Sequence, residues 1–304
     1  MSTLLLPLLV GVDGSSAADG AVRAAVAEAR QLGASVRLVH VVPDHFALVP
    51  VDALVGRDLD SRGAGLLVRA AAEVAAMAPD VEVETELRRG GVASQLAEAC
   101  EHAAALYVGR DSSVLKGVVK GNAAVGVATR APCPVVVVPA DWQPREDGGE
   151  VVVALKMAAG AAELFADAFA EAETHGARLV VLHSWRLPDM YDDIILSRVD
   201  PTEPARRTAA ALELLLHEWR TSYPDVEVEL RIVHEEPVHA LVEASRSADL
   251  LVLVRRVHGL KRGTLGGTGR AVLRGAECPV RVISPEGLTA VPGLVLEQAG
   301  DLVK

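Results

Sequence analysis

Large rings are scarce in this chain. Three Trp, three Tyr and three Phe make up 3% of 304 residues, so the core is expected to be packed from the Ala, Val and Leu that dominate its 50% hydrophobic fraction. That mixture suits Val-rich parallel strands lying under Ala-rich helices. Cysteine is equally sparse. Cys100, Cys133 and Cys278 are odd in number and show no C-x-x-C or Cys/His ligand spacing, which fits a reducing cytoplasm and leaves no metal site in this reading. Long apolar runs are missing too. Leu4 to Val10 is short, interrupted by Pro7 and without a basic flank, and reads as a buried strand, neither signal peptide nor membrane span. Basic charge is in deficit. A formal charge of -11 and a pI near 5.3 argue against the phosphate attraction on which nucleic-acid binding rests. No nucleic acid and no membrane are expected as partners. The chain also lacks a G-x-S-x-G elbow, an H-E-x-x-H pair and a full Walker loop, so no catalytic residue is assigned.

What is present is a sequence written twice. PDVEVE occurs at Pro79–Glu84 and again at Pro224–Glu229. Leu8–His40 aligns without a gap on Val151–His183, and APCPVVVV (Ala131–Val138) answers AECPVRVI (Ala276–Ile283). The offset changes by two residues between these blocks, which places an insertion in the loop after the second strand. Each copy alternates short Val-rich runs with long Ala-rich segments, the pattern of βαβ units on a parallel sheet. In the first copy strands are expected near Leu5–Val12, Ser35–Val42, Val81–Leu87, Leu106–Gly109 and Val135–Val138, with Gly33 and Gly176 ending the first helix of each copy. The polar, Pro/Gly-bearing stretch Asp141–Glu150 reads as the linker. The domains are then 1–142 and 150–284, with a tail over 285–304 whose Val291, Leu294, Val295 and Leu296 are suited to cover an edge or to pack on a second chain.

The opening VGVDGSS, the LVHVVP that ends the second strand and the fourth-strand loop leading to APCPVVVVP resemble the universal stress protein family in both halves. The resemblance implies an α/β fold of two tandem doubly wound five-stranded parallel sheets, each in strand order 3-2-1-4-5. Because the family pairs domains through their last strands, it also implies an internal pseudo-dimer, and a dimer of tandem chains is expected as the homo-oligomer. Members that hold ATP carry G-x2-G-x9-G followed by Ser or Thr after the fourth strand, glycines that let backbone N–H groups approach phosphates at a helix N-terminus. An Asp ends the first strand of such members.

Carried over residue by residue, the nucleotide site of the first copy comprises Val12, Asp13, Val41, Gly109, Ser112, Gly121, Asn122 and Ala123. Asp13 stands in the expected place, Val12 and Val41 line the base slot, and Gly109 and Gly121 bound the loop. Ser112 replaces the second Gly, the stretch before Gly121 is one residue short, and Asn122 replaces Ser or Thr. The implied ligand is ATP, with Mg if bound, and at most slow ATP turnover is expected. The alternative is a nucleotide-free interaction protein of the same fold with both pockets closed. In the second copy Lys156 replaces Asp13, Val254 replaces Gly109 and Val257 replaces Ser112, so that site is read as lost. Its loop instead carries Arg255, Arg256, His258, Lys261 and Arg262, and Lys156, Arg255, Arg256, Lys261 and Arg262 form a candidate anion site, weighed against ordinary solvated charge.

Other features are read as structural. His40 and His183 occupy matching strand ends in the copy with a site and the copy without, which favours packing. Cys133 and Cys278 precede a buried strand as small hydrophobes. Asp13 and Ser15 also make sense as a turn and helix cap, and Glu82, Glu84, Glu227 and Glu229 as solvent-facing charges on edge strands.

Overall fold

A computed structural model describes residues 5–43, 53–110, 123–145, 149–156, 161–186, 202–258 and 261–284. The first copy runs β1 (Leu8–Gly11), α1 (Ser16–Leu32), β2 (Val36–Val42), α2 (Ala53–Met77), β3 (Val83–Arg89), α3 (Val92–Ala99), a 3-10 turn (Cys100–His102), β4 (Ala105–Gly109), α4 (Ala123–Arg130) and β5 (Val135–Val138). The second runs β6 (Glu150–Ala154), α5 (Ala161–His175), β7 (Arg178–Trp185), α6 (Thr202–Ser222), β8 (Val228–His234), α7 (Pro237–Ala244) and β9 (Leu250–Val254). A hairpin of β10 (Arg256–His258) and β11 (Lys261–Thr264) follows, then α8 (Gly267–Gly275) and β12 (Val280–Ile283).

The repeat register is visible in matching details. Gly33 and Gly176 close α1 and α5 at φ 66° and 58°, a left-handed turn that glycine adopts without Cβ strain. The following Ala34 and Ala177 amides donate to Ala29 and Ala172 at 3.0 and 2.9 Å, the Schellman pattern that satisfies the helix-end carbonyls. His40 Nδ1 donates to the Val12 carbonyl at 2.6 Å and His183 Nδ1 to the Leu155 carbonyl at 2.9 Å, each 28 residues upstream. Both histidines therefore fasten the end of the first strand to the second.

Ten strands form one sheet in the order β3-β2-β1-β4-β5-β12-β9-β6-β7-β8. Each copy has the order 3-2-1-4-5, and the two expected sheets are joined into one. All pairings are parallel except β5 with β12, which is antiparallel with Val280, Arg281 and Val282 opposite Val137, Val136 and Val135. Val136 and Arg281 are repeat equivalents, so the pseudo-two-fold axis passes between them. β3 and β8 are the outer edges, where Glu82, Glu84 and Glu227 are exposed while Glu229 is half-buried against Arg231 and Arg178.

One face of the sheet carries a single apolar core through both copies, in which Leu96 and Val127 share a cluster with Val137, Val282, Leu241 and Val272. The opposite face carries two separate cores. Helices α1 and α2 cover Leu8, Val10, Val36 and Leu38. Helices α5 and α6 cover Val151 and Val153. The expectation of a core without rings fails in both copies: Tyr107 is buried in the first, with Trp142 packed against that core, and in the second Phe165, Phe169, Trp219 and Tyr223 pack together with Phe169 and Tyr223 centroids 5.2 Å apart.

Between those two cores, at the junction, lies a buried charged cluster. Arg281 donates to Asp167 through Nε at 2.7 Å and Nη2 at 2.9 Å and lies 3.1 Å from Glu171. Burial raises the Asp167 pKa above the ordinary carboxylate range, with Arg281 opposing. The stretch read as a linker is tied to both halves. Arg23 donates to the Ala140 and Trp142 carbonyls, and Arg145 to those of Ser247 and Arg246.

Candidate functional site

The carboxyl ends of β1, β2 and β4 bring four of the expected residues together at the point where the strand order reverses, the place where open α/β sheets bind ligands. The β1 ladder ends with the Val12 amide donating to the Val39 carbonyl at 2.9 Å. Asp13, the next residue, is exposed. Its Oδ1 accepts from the Ser15 amide at 2.9 Å and the Ser15 hydroxyl at 2.5 Å, and Ser15 Oγ in turn accepts from the Ala18 amide as the cap of α1. Asp13 thus belongs to a local turn and still presents its carboxylate to solvent beside the positive end of a 17-residue helix.

Val12 and Val41 do not line an open slot together. Both are buried, Val12 against α1 and α2 and Val41 in the core of the opposite face, because successive strand residues point to opposite sides of the sheet. Gly109 ends β4 under the first turn of α1, where an added Cβ would lie 2.2 Å from the Ala17 carbonyl group. Close helix–strand contact is therefore enough to require this glycine. Ala123 opens α4 and is exposed. Ser112, Gly121 and Asn122 lie outside the described residues.

In the second copy Lys156 is exposed just past β6, at the place of Asp13. The expected ring of cations is corrected at Arg255. This residue is 6% exposed and donates through Nη2 to the Ala131 carbonyl of the first copy at 2.9 Å. Its repeat equivalent Arg110 donates through Nη1 to the Ala276 carbonyl of the second copy, and burial lowers the Arg110 pKa. Each arginine follows a fourth strand and crosses the pseudo-two-fold axis to the carbonyl that precedes the other copy's last strand. Sequence reading placed Arg255 in the cationic loop, as an anion ligand or a solvated charge, because a charge after a strand normally meets water. Arg256, Lys261 and Arg262 lie in the β10–β11 hairpin, in which Arg256 pairs with Thr264 and His258 with Lys261, and β11 packs beside α4 of the first copy.

Sequence reading also missed a ring pair at the same end of the second copy. Trp185, the last residue of β7, stacks on His234, the last of β8, with centroids 4.3 Å apart. The first copy has Val42 and Arg89 there, so a comparison of the copies would have exposed the difference.

The protein comparisons agree with this architecture. A profile of the universal stress protein family matches residues 6–139 and 149–284. A universal stress protein of Mycolicibacterium smegmatis is 31% identical over 289 residues, covering 91% of this chain and 97% of that protein. A universal stress protein of Mycobacterium tuberculosis (strain ATCC 25618 / H37Rv) is 28% identical over 297 residues, 93% and 98% of the two chains. Among solved structures, a universal stress protein from Archaeoglobus fulgidus shares the fold with a TM-score of 0.68 at 16% identity, over 92% of this chain and 96% of its own. No helix among the described residues is long and apolar enough to cross a membrane. With both halves matched by the family profile and each half wound in the same strand order, the chain belongs to the universal stress protein family, as a tandem of two of its domains.

Proposed function

We propose that the protein is a cytoplasmic stress-response binding protein whose first domain takes an adenine nucleotide such as ATP, with Mg2+, at the carboxyl ends of β1, β2 and β4. The second domain acts as its permanent partner. The observation that carries this reading is the exposed Asp13 carboxylate at the strand-order reversal, where the second copy has Lys156. An acidic group there accepts from the hydroxyls of a ribose, and the start of α4 after Asn122 offers helix amides to phosphates. Val254 at the place of Gly109 removes that opportunity from the second domain. The reading is tested by denaturing the freshly purified chain and identifying what it releases by mass spectrometry. An adenine nucleotide in amounts approaching the chain's own supports it, and a nucleotide of another base contradicts it.

A nucleotide-free interaction protein is the second reading. It is favoured by the two roles already filled in the free chain: Asp13 is bonded to Ser15, and Gly109 is explained by Ala17. In either reading self-association into a dimer of chains uses a surface other than the last strands, since β5 and β12 are paired with each other.

A further inference from the structure

Helices α1 and α5 are repeat equivalents and pack against each other across the domain junction. Glu28 of α1 and Glu171 of α5 occupy matching positions in the two copies. Both turn inward to the pseudo-two-fold axis, and both converge on one imidazole. His175, one helical turn after Glu171, places Nε2 3.0 Å from Glu28 Oε2 and 3.7 Å from Glu171 Oε2. The three donor atoms lie within 4.8 Å of one another. A tetrahedral zinc ion, with bonds of about 2.0–2.2 Å, holds its ligand atoms about 3.3–3.6 Å apart, and the observed 3.0 and 3.7 Å bracket that spacing.

The surroundings suit an ion. Glu171 gives Oε1 to Arg281 at 3.1 Å, which leaves Oε2 aimed at His175, and Arg281 is itself fixed by Asp167. That is the outer-shell support that orients a metal-binding carboxylate. The glutamates are nearly closed off, with side chains 10% and 13% exposed, whereas His175 is 29% exposed, so entry and a fourth, water ligand are available from its side. Of the cluster's three carboxylates, Asp167 and Glu171 contact the permanent cation Arg281, and Glu28 contacts His175. A divalent ion with a neutral imidazole brings the cluster to zero net charge, and charges taken out of water require such compensation.

We propose that Glu28, Glu171 and His175 form a zinc-class divalent-cation site that ties the two domains together at their junction. One imidazole nitrogen with two carboxylates selects zinc, or cobalt as its stand-in, over magnesium and calcium, which take oxygen ligands in larger number. The competing occupant is a proton: hydrogen bonds to Glu171 and Glu28 push the imidazole pKa up to about 10, so an ion-free cluster holds an imidazolium in the same place.

The test uses the full chain, stripped with a chelator and titrated with Zn2+ and separately with Co2+. The expected result is one ion per chain, a rise in Tm with Zn2+ that Mg2+ does not produce, and an intense visible cobalt band of four- or five-coordinate geometry. His175→Gln and Glu28→Gln should each weaken binding at least about tenfold, the lower bound set by losses seen for outer-shell partners alone. A cobalt spectrum no different from the aqueous ion overturns the site. So does binding of equal strength in wild type and both variants, which would assign the ion to other histidines. Should a variant fail to fold, the wild-type cobalt spectrum and stoichiometry still decide.

Discussion

Val136 and Arg281 stand opposite each other in the antiparallel pairing of β5 with β12 and are each other's repeat equivalents. One position on the sheet is thus apolar in the first copy and cationic in the second. Arg281 is 8% exposed and Asp167 6%, and Asp167 stands where α1 has Ala24. Removing one partner of a buried ion pair costs about 3–5 kcal/mol, whereas replacing both by apolar groups is often neutral. Asp167→Ala and Arg281→Val are each expected to destabilise on that scale. The double variant, which restores the first copy's residues, should lose less than the sum of the two. Denaturant unfolding of the four chains closes the cycle.

The reciprocal arginines give a second expectation. Arg255→Ala should destabilise by about 1.5–3 kcal/mol, the range for a hydrogen bond to a charged group, because it leaves the Ala131 carbonyl without this donor. Arg110→Ala should act in the same direction at Ala276. Thermal melts with and without phosphate separate this role from anion binding: a junction residue destabilises equally in both.

Gly109→Ala should destabilise by about 1–3 kcal/mol, the usual cost of overpacking, since the new Cβ would lie 2.2 Å from the Ala17 carbonyl. Unfolding in nucleotide-free buffer checks it. A variant as stable as wild type would reassign that glycine to ligand approach alone.

How much of this was legible follows from where each signal resides. The fold was readable because the repeat and the Val-rich runs are properties of the chain itself: Val135–Val138 was placed to the residue, while Leu5 and Leu6 proved 55% and 53% exposed outside β1. The joining of the copies through their last strands was implied by the family resemblance and is met by β5 and β12, whereas the continuous ten-stranded sheet that results rests on contacts between copies. The junction cluster was missed although Arg281 interrupts a Val-rich strand, since a lone charge does not reveal its partner. Arg255 was misplaced for the same reason: its partner carbonyl is 124 residues away.

The cysteines should be silent in the native chain. All three are buried. Burial pushes the Cys278 thiol up to about 12, and a hydrogen bond with Cys133, then burial, raises Cys100. The thiolate is the reactive form, so an alkylating reagent at pH 8 should label none of them in the native chain and all of them after unfolding, counted by intact mass. Rapid native labelling of Cys278 would contradict its placement.

The central claim, one nucleotide site in the first domain and none in the second, is tested most directly by titrating the full chain with Mg-ATP and counting nucleotide bound per chain. Wild type and Lys156→Ala should each bind one. Asp13→Ala should weaken binding roughly 10- to 150-fold, equivalent to the loss of one charged hydrogen-bond partner. A chain that binds no ATP at millimolar concentration, or one whose binding is lost with Lys156→Ala and kept with Asp13→Ala, would contradict the account.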